Sequence, residues 1–141
     1  SFPMKKLINT ATRLDLIIPT SLLLFTACQE TLEERCVREC KEYTKKKCPV
    51  LVNKDVYLDS LTFDPSTHLM SYYYTVDGVL DDAEALQLHD VRGMLLKELK
   101  NSSSLKVYKD EGYSFRYVYF SSKQKGTQLI DATFRKSDYQ T

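Results

Sequence analysis

Aromatic side chains occupy every second position of residues 113–119, within the segment GYSFRYVYF. Successive side chains of a β-strand point to opposite faces of a sheet, so this spacing predicts a strand with one aromatic face. Tyr113, Phe115, Tyr117 and Tyr119 share that face, and the residues between them lie on the other. A chain with such a strand needs a sheet in which the aromatic face is either buried or bound to a partner.

The same segment matches the RNA-recognition strand pattern only weakly. Glu111 stands where that pattern has a basic residue, and Arg116 stands where it has valine. The chain has 20 basic and 19 acidic residues, a net charge of +1, which gives no general attraction to a polyanion. We therefore predict no nucleic-acid partner.

A second tyrosine-rich segment, LMSYYYTV at 69–76, has the same alternation. Tyrosine-rich strands stabilise each other through cross-strand pairs, so both segments are expected to contribute mainly to the packing of a sheet. If helices leave the aromatic face uncovered, that face becomes the candidate binding surface. The candidate binding surface consists of Tyr72, Tyr74, Tyr113, Phe115, Tyr117 and Tyr119.

Two helices are predicted from apolar residues at helical spacing. In residues 31–47 the apolar stripe consists of Leu32, Cys36, Cys40 and Tyr43. The second helix follows the segment DGVLDD, in which Asp81 or Asp82 supplies the N-cap. The apolar stripe of this second helix consists of Ala85, Leu88, Val91, Leu95 and Leu99. After the helix, a short extended segment is predicted at 105–108.

Four strands are predicted, at residues 55–63, 69–76, 113–121 and 127–135, and they form two hairpins. The order of elements is therefore helix, hairpin, helix, hairpin (αββαββ). This order predicts an α+β domain with a four-stranded antiparallel sheet and two helices packed on one face.

The N-terminal region differs in composition from the rest of the chain. Lys5 and Lys6 follow Met4, and an apolar run of 12 residues extends over 16–27. A membrane-spanning helix needs about 20 apolar residues, so this run is too short to span. The pattern predicts a secretory signal peptide at 1–27, with residues 1–3 as a leading remnant, and a single α+β domain at 28–141.

The apolar run ends in FTAC, which resembles the lipobox of bacterial lipoproteins. Ala27 and Cys28 match that motif, whereas Phe25 stands where leucine is more usual. The resemblance implies cleavage before Cys28, lipidation of its thiol and attachment to a membrane through the N-terminal lipid. Gln29 follows the cysteine in place of an aspartate, which implies the outer membrane.

Lipidation of Cys28 leaves Cys36, Cys40 and Cys48, and export permits disulfides. Cys36 and Cys40 lie on one helix face with Cβ atoms about 5–6 Å apart, which exceeds the roughly 3.5–4.5 Å of a disulfide. The predicted disulfide is Cys40–Cys48, with Cys36–Cys48 as the alternative. The three cysteines have no fourth ligand nearby and no common zinc spacing, so no metal site is predicted.

No catalytic set is recognisable. The chain has no glycine-rich phosphate loop and no nucleophile elbow, and neither His68 nor His89 lies in a cysteine or serine motif. Asp77, Asp81 and Asp82 lack the spacing of a calcium loop and are interpreted as helix caps. We therefore predict no cofactor and no enzymatic activity.

The chain resembles small lipoproteins of Gram-negative bacteria whose role is not established. The resemblance is carried by FTAC, LDSLTFDPSTHLMSYYYT and GYSFRYVYF. It implies a lipid-anchored cell-envelope protein at the outer membrane. Because no catalytic set is recognisable, the first hypothesis is that this protein acts as a non-catalytic binding module for an envelope protein partner. The alternative is a periplasmic inhibitor or immunity-type protein that blocks an envelope enzyme through the loop at 64–68 or at 121–126. An enzyme that uses one of the three remaining cysteines is the third hypothesis.

Overall fold

The computed structural model describes residues 29–140. The predicted signal peptide and Cys28 lie outside the described residues. The described elements, in chain order, are α1 (Leu32–Lys47), β1 (Val50–Asn53), β2 (Val56–Asp64), β3 (Leu69–Val76), a 3-10 turn (Gly78–Leu80), α2 (Ala83–Gln87), α3 (Val91–Asn101), α4 (Lys106–Asp110), β4 (Ser114–Ser121), β5 (Gln128–Phe134) and α5 (Lys136–Tyr139).

The sheet has five strands in the order β1-β2-β3-β4-β5 and is mixed. Strands β3 and β4 pair in parallel, and the other neighbours pair antiparallel. The α+β class is confirmed, whereas the predicted four-stranded antiparallel sheet is wrong. Residues 77–113 carry three helices between β3 and β4, and a crossover of this length returns the chain to the end of the sheet where β3 began, which produces a parallel pair.

The helices also differ in part from the prediction. Helix α1 is confirmed, and so is the N-cap of α2, where the Asp82 side chain accepts a hydrogen bond from the Glu84 N–H. The predicted second helix is divided, because Asp90 caps a new helix by accepting a hydrogen bond from the Gly93 N–H at 3.0 Å. Leu88 lies at this division and is 86% exposed, so it leaves the predicted stripe. Residues 106–110 form a helix in place of the extended piece predicted there.

Helix α1 packs across β2 on the same face of the sheet as the aromatic side chains. It contributes the buried side chains of Cys36 and Cys40 to a core that also contains Leu95 and Leu99 of α3. A side chain of α1 is bound to the sheet as well: the Thr44 hydroxyl accepts a hydrogen bond from the Leu61 N–H at 2.9 Å and donates one to the Leu61 carbonyl at 3.2 Å. These bonds follow an irregularity between Leu58 and Ser60, where the register of β2 shifts.

Candidate binding groove

The six residues of the candidate binding surface all lie on the helix-covered face of the sheet. Four of them are buried in the core: Tyr74, Tyr113, Phe115 and Tyr117. The condition for a binding surface, a face left uncovered by helices, is therefore not met by these four residues, because α1 and α3 cover them. The rings stack across β3 and β4 because the parallel register places them side by side, with centroids 4.9 Å apart for Tyr72–Tyr117 and 4.4 Å apart for Tyr74–Tyr119.

A groove opens at one end of this face, and Tyr74 and Tyr119 are among the residues that line it. Its volume is about 320 Å³. The floor consists of side chains from the central strands and β5, and one wall consists of side chains from α3. The lining residues are Val52, Asn53, Val56, Tyr74, Val76, Leu80, Leu86, His89, Val91, Met94, Leu95, Glu98, Tyr119 and Ile130.

Large apolar side chains are exposed at the rim of this groove. Met94 of α3 is 56% exposed, and Val52 of β1 is 48% exposed on the opposite side. Exposed apolar side chains that are contiguous with an apolar groove mark interaction sites more often than singly scattered ones do. The groove is thus the part of the described structure best suited to bind an apolar partner.

The groove offers side chains but few backbone groups to an occupant. Strands β3 and β4 each have a neighbour on both sides, so their N–H and C=O groups are already paired within the sheet. The wall at α3 is a helix, whose backbone groups bond internally. An occupant that buries its own backbone here needs to satisfy its own hydrogen bonds, and a helix does so.

The polar groups that line the groove belong to Asn53, His89 and Glu98 and to the hydroxyls of Tyr74 and Tyr119. Burial, and after it the negative charge of Glu98, raises the pKa of Tyr119 to about 12, so this hydroxyl is neutral at physiological pH. Burial and the neighbouring tyrosines also raise the pKa of Tyr74. Among the described residues, neither hydroxyl has a hydrogen-bond partner, so both are available to an occupant of the groove.

The three described cysteines are free thiols, so the predicted Cys40–Cys48 disulfide and its alternative Cys36–Cys48 are wrong. The Cys48 N–H donates a hydrogen bond to the Thr44 carbonyl at 3.2 Å, so Cys48 continues the spacing of α1 and does not fold back. Eight residues of helix span about 12 Å along the axis, well beyond the roughly 7 Å limit between the Cα atoms of a disulfide. Burial and its thiol hydrogen bond to Cys40 raise the pKa of Cys36, with the hydrogen bond the larger cause.

Most residues of the groove could not be predicted from the sequence. Val52 belongs to a strand of only four residues, and Met94 lies beside the apolar stripe of its helix. Tyr74 and Tyr119 belong to the predicted candidate surface, and a methionine beside the apolar stripe of a predicted helix is the further signal in the sequence that points to this site. No group of three or more histidine, cysteine, aspartate or glutamate side chains within residues 29–140 is placed to hold a metal ion.

Comparison with known proteins identifies a family and a fold. The family model described as "Domain of unknown function (DUF8479)" matches residues 31–130. No curated protein sequence matches this chain. No helix within the described residues combines the length and the apolar composition needed to cross a bilayer.

Three solved structures have similar folds at low sequence identity. The crystal structure of a Pseudomonas aeruginosa protein inferred to be secreted has a TM-score of 0.61 at 14% identity, and the match covers 79% of this chain and all of that chain. The pilotin EpsS of the Vibrio vulnificus type II secretion system has a TM-score of 0.57 at 12% identity, with coverage of 78% and 93%. The type II secretion pilotin AspS of Vibrio cholerae has a TM-score of 0.54 at 14% identity, with coverage of 76% and 91%.

Proposed function

Because the chain belongs to the family described as a domain of unknown function (DUF8479), a description that states no activity, we propose a function from the fold and the groove. The protein is a non-catalytic interaction module of the bacterial cell envelope, and its groove binds an amphipathic helix of an envelope protein. The observation that carries this proposal is the apolar groove between α3 and the sheet, with exposed Met94 and Val52 at its rim.

The fold of the chain supports an interaction role. Two of the structures with the same fold are pilotins of type II secretion systems. A helix that lays an apolar face into a groove presents side chains at positions i, i+3, i+4 and i+7, and it needs no backbone partner from the groove. The paired strands of the floor fit that mode of recognition better than they fit an added strand.

Attachment to the membrane through Cys28 belongs to the same proposal. We expect the intact mass of the protein purified from membranes of its native bacterium to equal residues 28–141 plus three acyl chains. Three chains anchor a protein stably, whereas one chain alone gives only marginal binding. A mass that retains residues 4–27 without lipid would contradict the anchor, and the same spectrum after alkylation tests whether Cys36, Cys40 and Cys48 are free.

The binding role is tested by photo-crosslinking from the groove in living cells. A benzophenone amino acid at Met94 is expected to form an adduct with one envelope protein, and the crosslinked segment is expected to be an amphipathic helix. The control position is Val107 of α4, which is a partly exposed apolar residue outside the groove and is expected to give no adduct.

Substitution of Met94 by glutamate is a second test of the same contact, because it should weaken binding at the groove. A carboxylate in the apolar groove loses hydration when the partner binds, so we expect binding to weaken about tenfold or more. Met94 is largely exposed in the free protein, so its stability should change little. The matched control is Val107→Glu. Equal adducts from both positions, or an adduct at Met94 with lipid or with an extended segment, would exclude the proposed mode of binding.

A further inference from the structure

Glu98 is the one carboxylate among the described residues that line the groove. It lies on α3 three residues after Leu95 and four after Met94, so the three side chains share one side of the helix. Its position places a negative charge at the rim, directly beside the apolar surface that the partner is proposed to cover.

The charge of Glu98 is not compensated within the described part of the chain. Its helical neighbours at i±3 and i±4 are Met94, Leu95, Asn101 and Ser102, none of which carries a positive charge. No ion pair or hydrogen bond to its side chain is present within residues 29–140. By contrast, Glu42 of α1 is paired with both Arg38 and Lys46.

The floor of the groove next to Glu98 also favours a cation. The rings of Tyr74 and Tyr119 are stacked with an interplanar angle of 12°, and their neutral hydroxyls lie within the electrostatic influence of Glu98. Tyrosine hydroxyls accept hydrogen bonds from ammonium and guanidinium groups. An acidic partner helix would instead bring a second carboxylate against Glu98, and like charges at an interface are unfavourable.

We propose that the partner helix carries a lysine or arginine beside its apolar face, and that this cation pairs with Glu98 at the rim of the groove. This inference rests on the proposed function and specifies the chemistry of the partner: a basic amphipathic helix, in contrast to an acidic or purely apolar one. The pairing would align the helix along the groove, because Glu98 is the one carboxylate in a mainly apolar lining.

The test uses three variants of the full chain, each with the crosslinker at Met94. We expect the yield of the partner adduct to fall about tenfold in Glu98→Gln and further in Glu98→Lys, because charge loss is followed by charge repulsion. The matched control is Lys97→Glu, which changes charge on the same helix at a residue that does not line the groove. The urea midpoint is expected to be unchanged in all three, since Glu98 has no partner to lose.

Charge reversal in the partner completes the test. When the crosslinked segment has been mapped, its lysine or arginine nearest the adduct is changed to glutamate, and this change is expected to restore binding to Glu98→Lys. If the Met94 adduct persists unchanged in Glu98→Gln and Glu98→Lys, the charge pairing is wrong and the groove proposal stands. If Met94 gives no protein adduct in the unaltered chain, the proposed function and this inference both fail.

Discussion

Replacement of Phe115 by alanine is expected to lower the free energy of unfolding by about 3–5 kcal/mol. Phe115 is fully buried in β4 and is paired in register with Phe134 of β5. Its ring also meets that of Tyr139 edge-on, with centroids 5.7 Å apart. Two other elements, β5 and α5, therefore pack against the ring of this β4 residue, and its removal leaves a cavity between them. Urea unfolding followed by circular dichroism measures the loss.

The control for this substitution is Tyr57→Ala, because Tyr57 is an aromatic strand residue that is 39% exposed. We expect it to cost about 1 kcal/mol or less, as surface substitutions do. Phe115→Leu is expected to recover most of the loss by filling part of the cavity. A loss below about 1 kcal/mol for Phe115→Ala would mean that the helix-covered aromatic face is not the core.

The second large effect is expected at Thr44, which joins α1 to β2. Valine has nearly the same shape as threonine but lacks the hydroxyl, so Thr44→Val leaves the Leu61 N–H and C=O without their partner. Each backbone group left unsatisfied costs about 1–3 kcal/mol, and we expect a total of about 2–3 kcal/mol because the site is only partly buried. Urea unfolding measures this change as well.

Thr62→Val is the matched control, since Thr62 lies on the same strand and is exposed. We expect it to change the free energy of unfolding by about 0.5 kcal/mol or less. Thr44→Ser, which retains the hydroxyl, is expected to be much less harmful than Thr44→Val. A loss in Thr44→Val no larger than that of Thr62→Val, about 0.5 kcal/mol or less, would exclude the two hydrogen bonds as a major link between α1 and β2.

The local patterns in the sequence predict most elements of this fold correctly. The period of two at 113–121 predicts β4, and the spacing of Leu32, Cys36 and Cys40 predicts α1. These signals suffice because each strand or helix has one face toward the core, and the apolar residues of that face recur at the period of the element. The aromatic residues of β4 do share one face, as predicted.

Such local patterns do not predict how the elements are arranged in space. Strand β1 has only four residues, too few to show a period, and the end of the predicted second helix is altered by the single cap at Asp90. Whether β3 and β4 pair in parallel depends on the path of residues 77–113, and the local pattern of this segment predicts a helix but not the path of the chain. The prediction that Cys48 folds back toward α1 was wrong because the helical hydrogen bonding of α1 extends to the Cys48 N–H, immediately before Pro49.

The groove was the least predictable part for a related reason. Its lining comes from all five strands and two helices, so residues that are neighbours in space are far apart in the chain. Val52, Met94 and Tyr119 have no common motif and come together only when the sheet is complete. The sequence therefore indicated that a binding module was plausible, and the fold was needed to locate its surface.

The parallel pairing of β3 and β4 has a consequence for when the protein becomes able to bind. A parallel pair cannot form as a hairpin, because its strands meet only after the intervening crossover has been ordered. In the chain, Tyr74 precedes that crossover and Tyr119 follows it, and Ile130 comes later still. A chain that ends before β4 lacks Tyr119 and Ile130, and with them part of the groove floor. The groove is therefore complete only at a late step of folding. Binding of a partner would then indicate that the whole chain has folded.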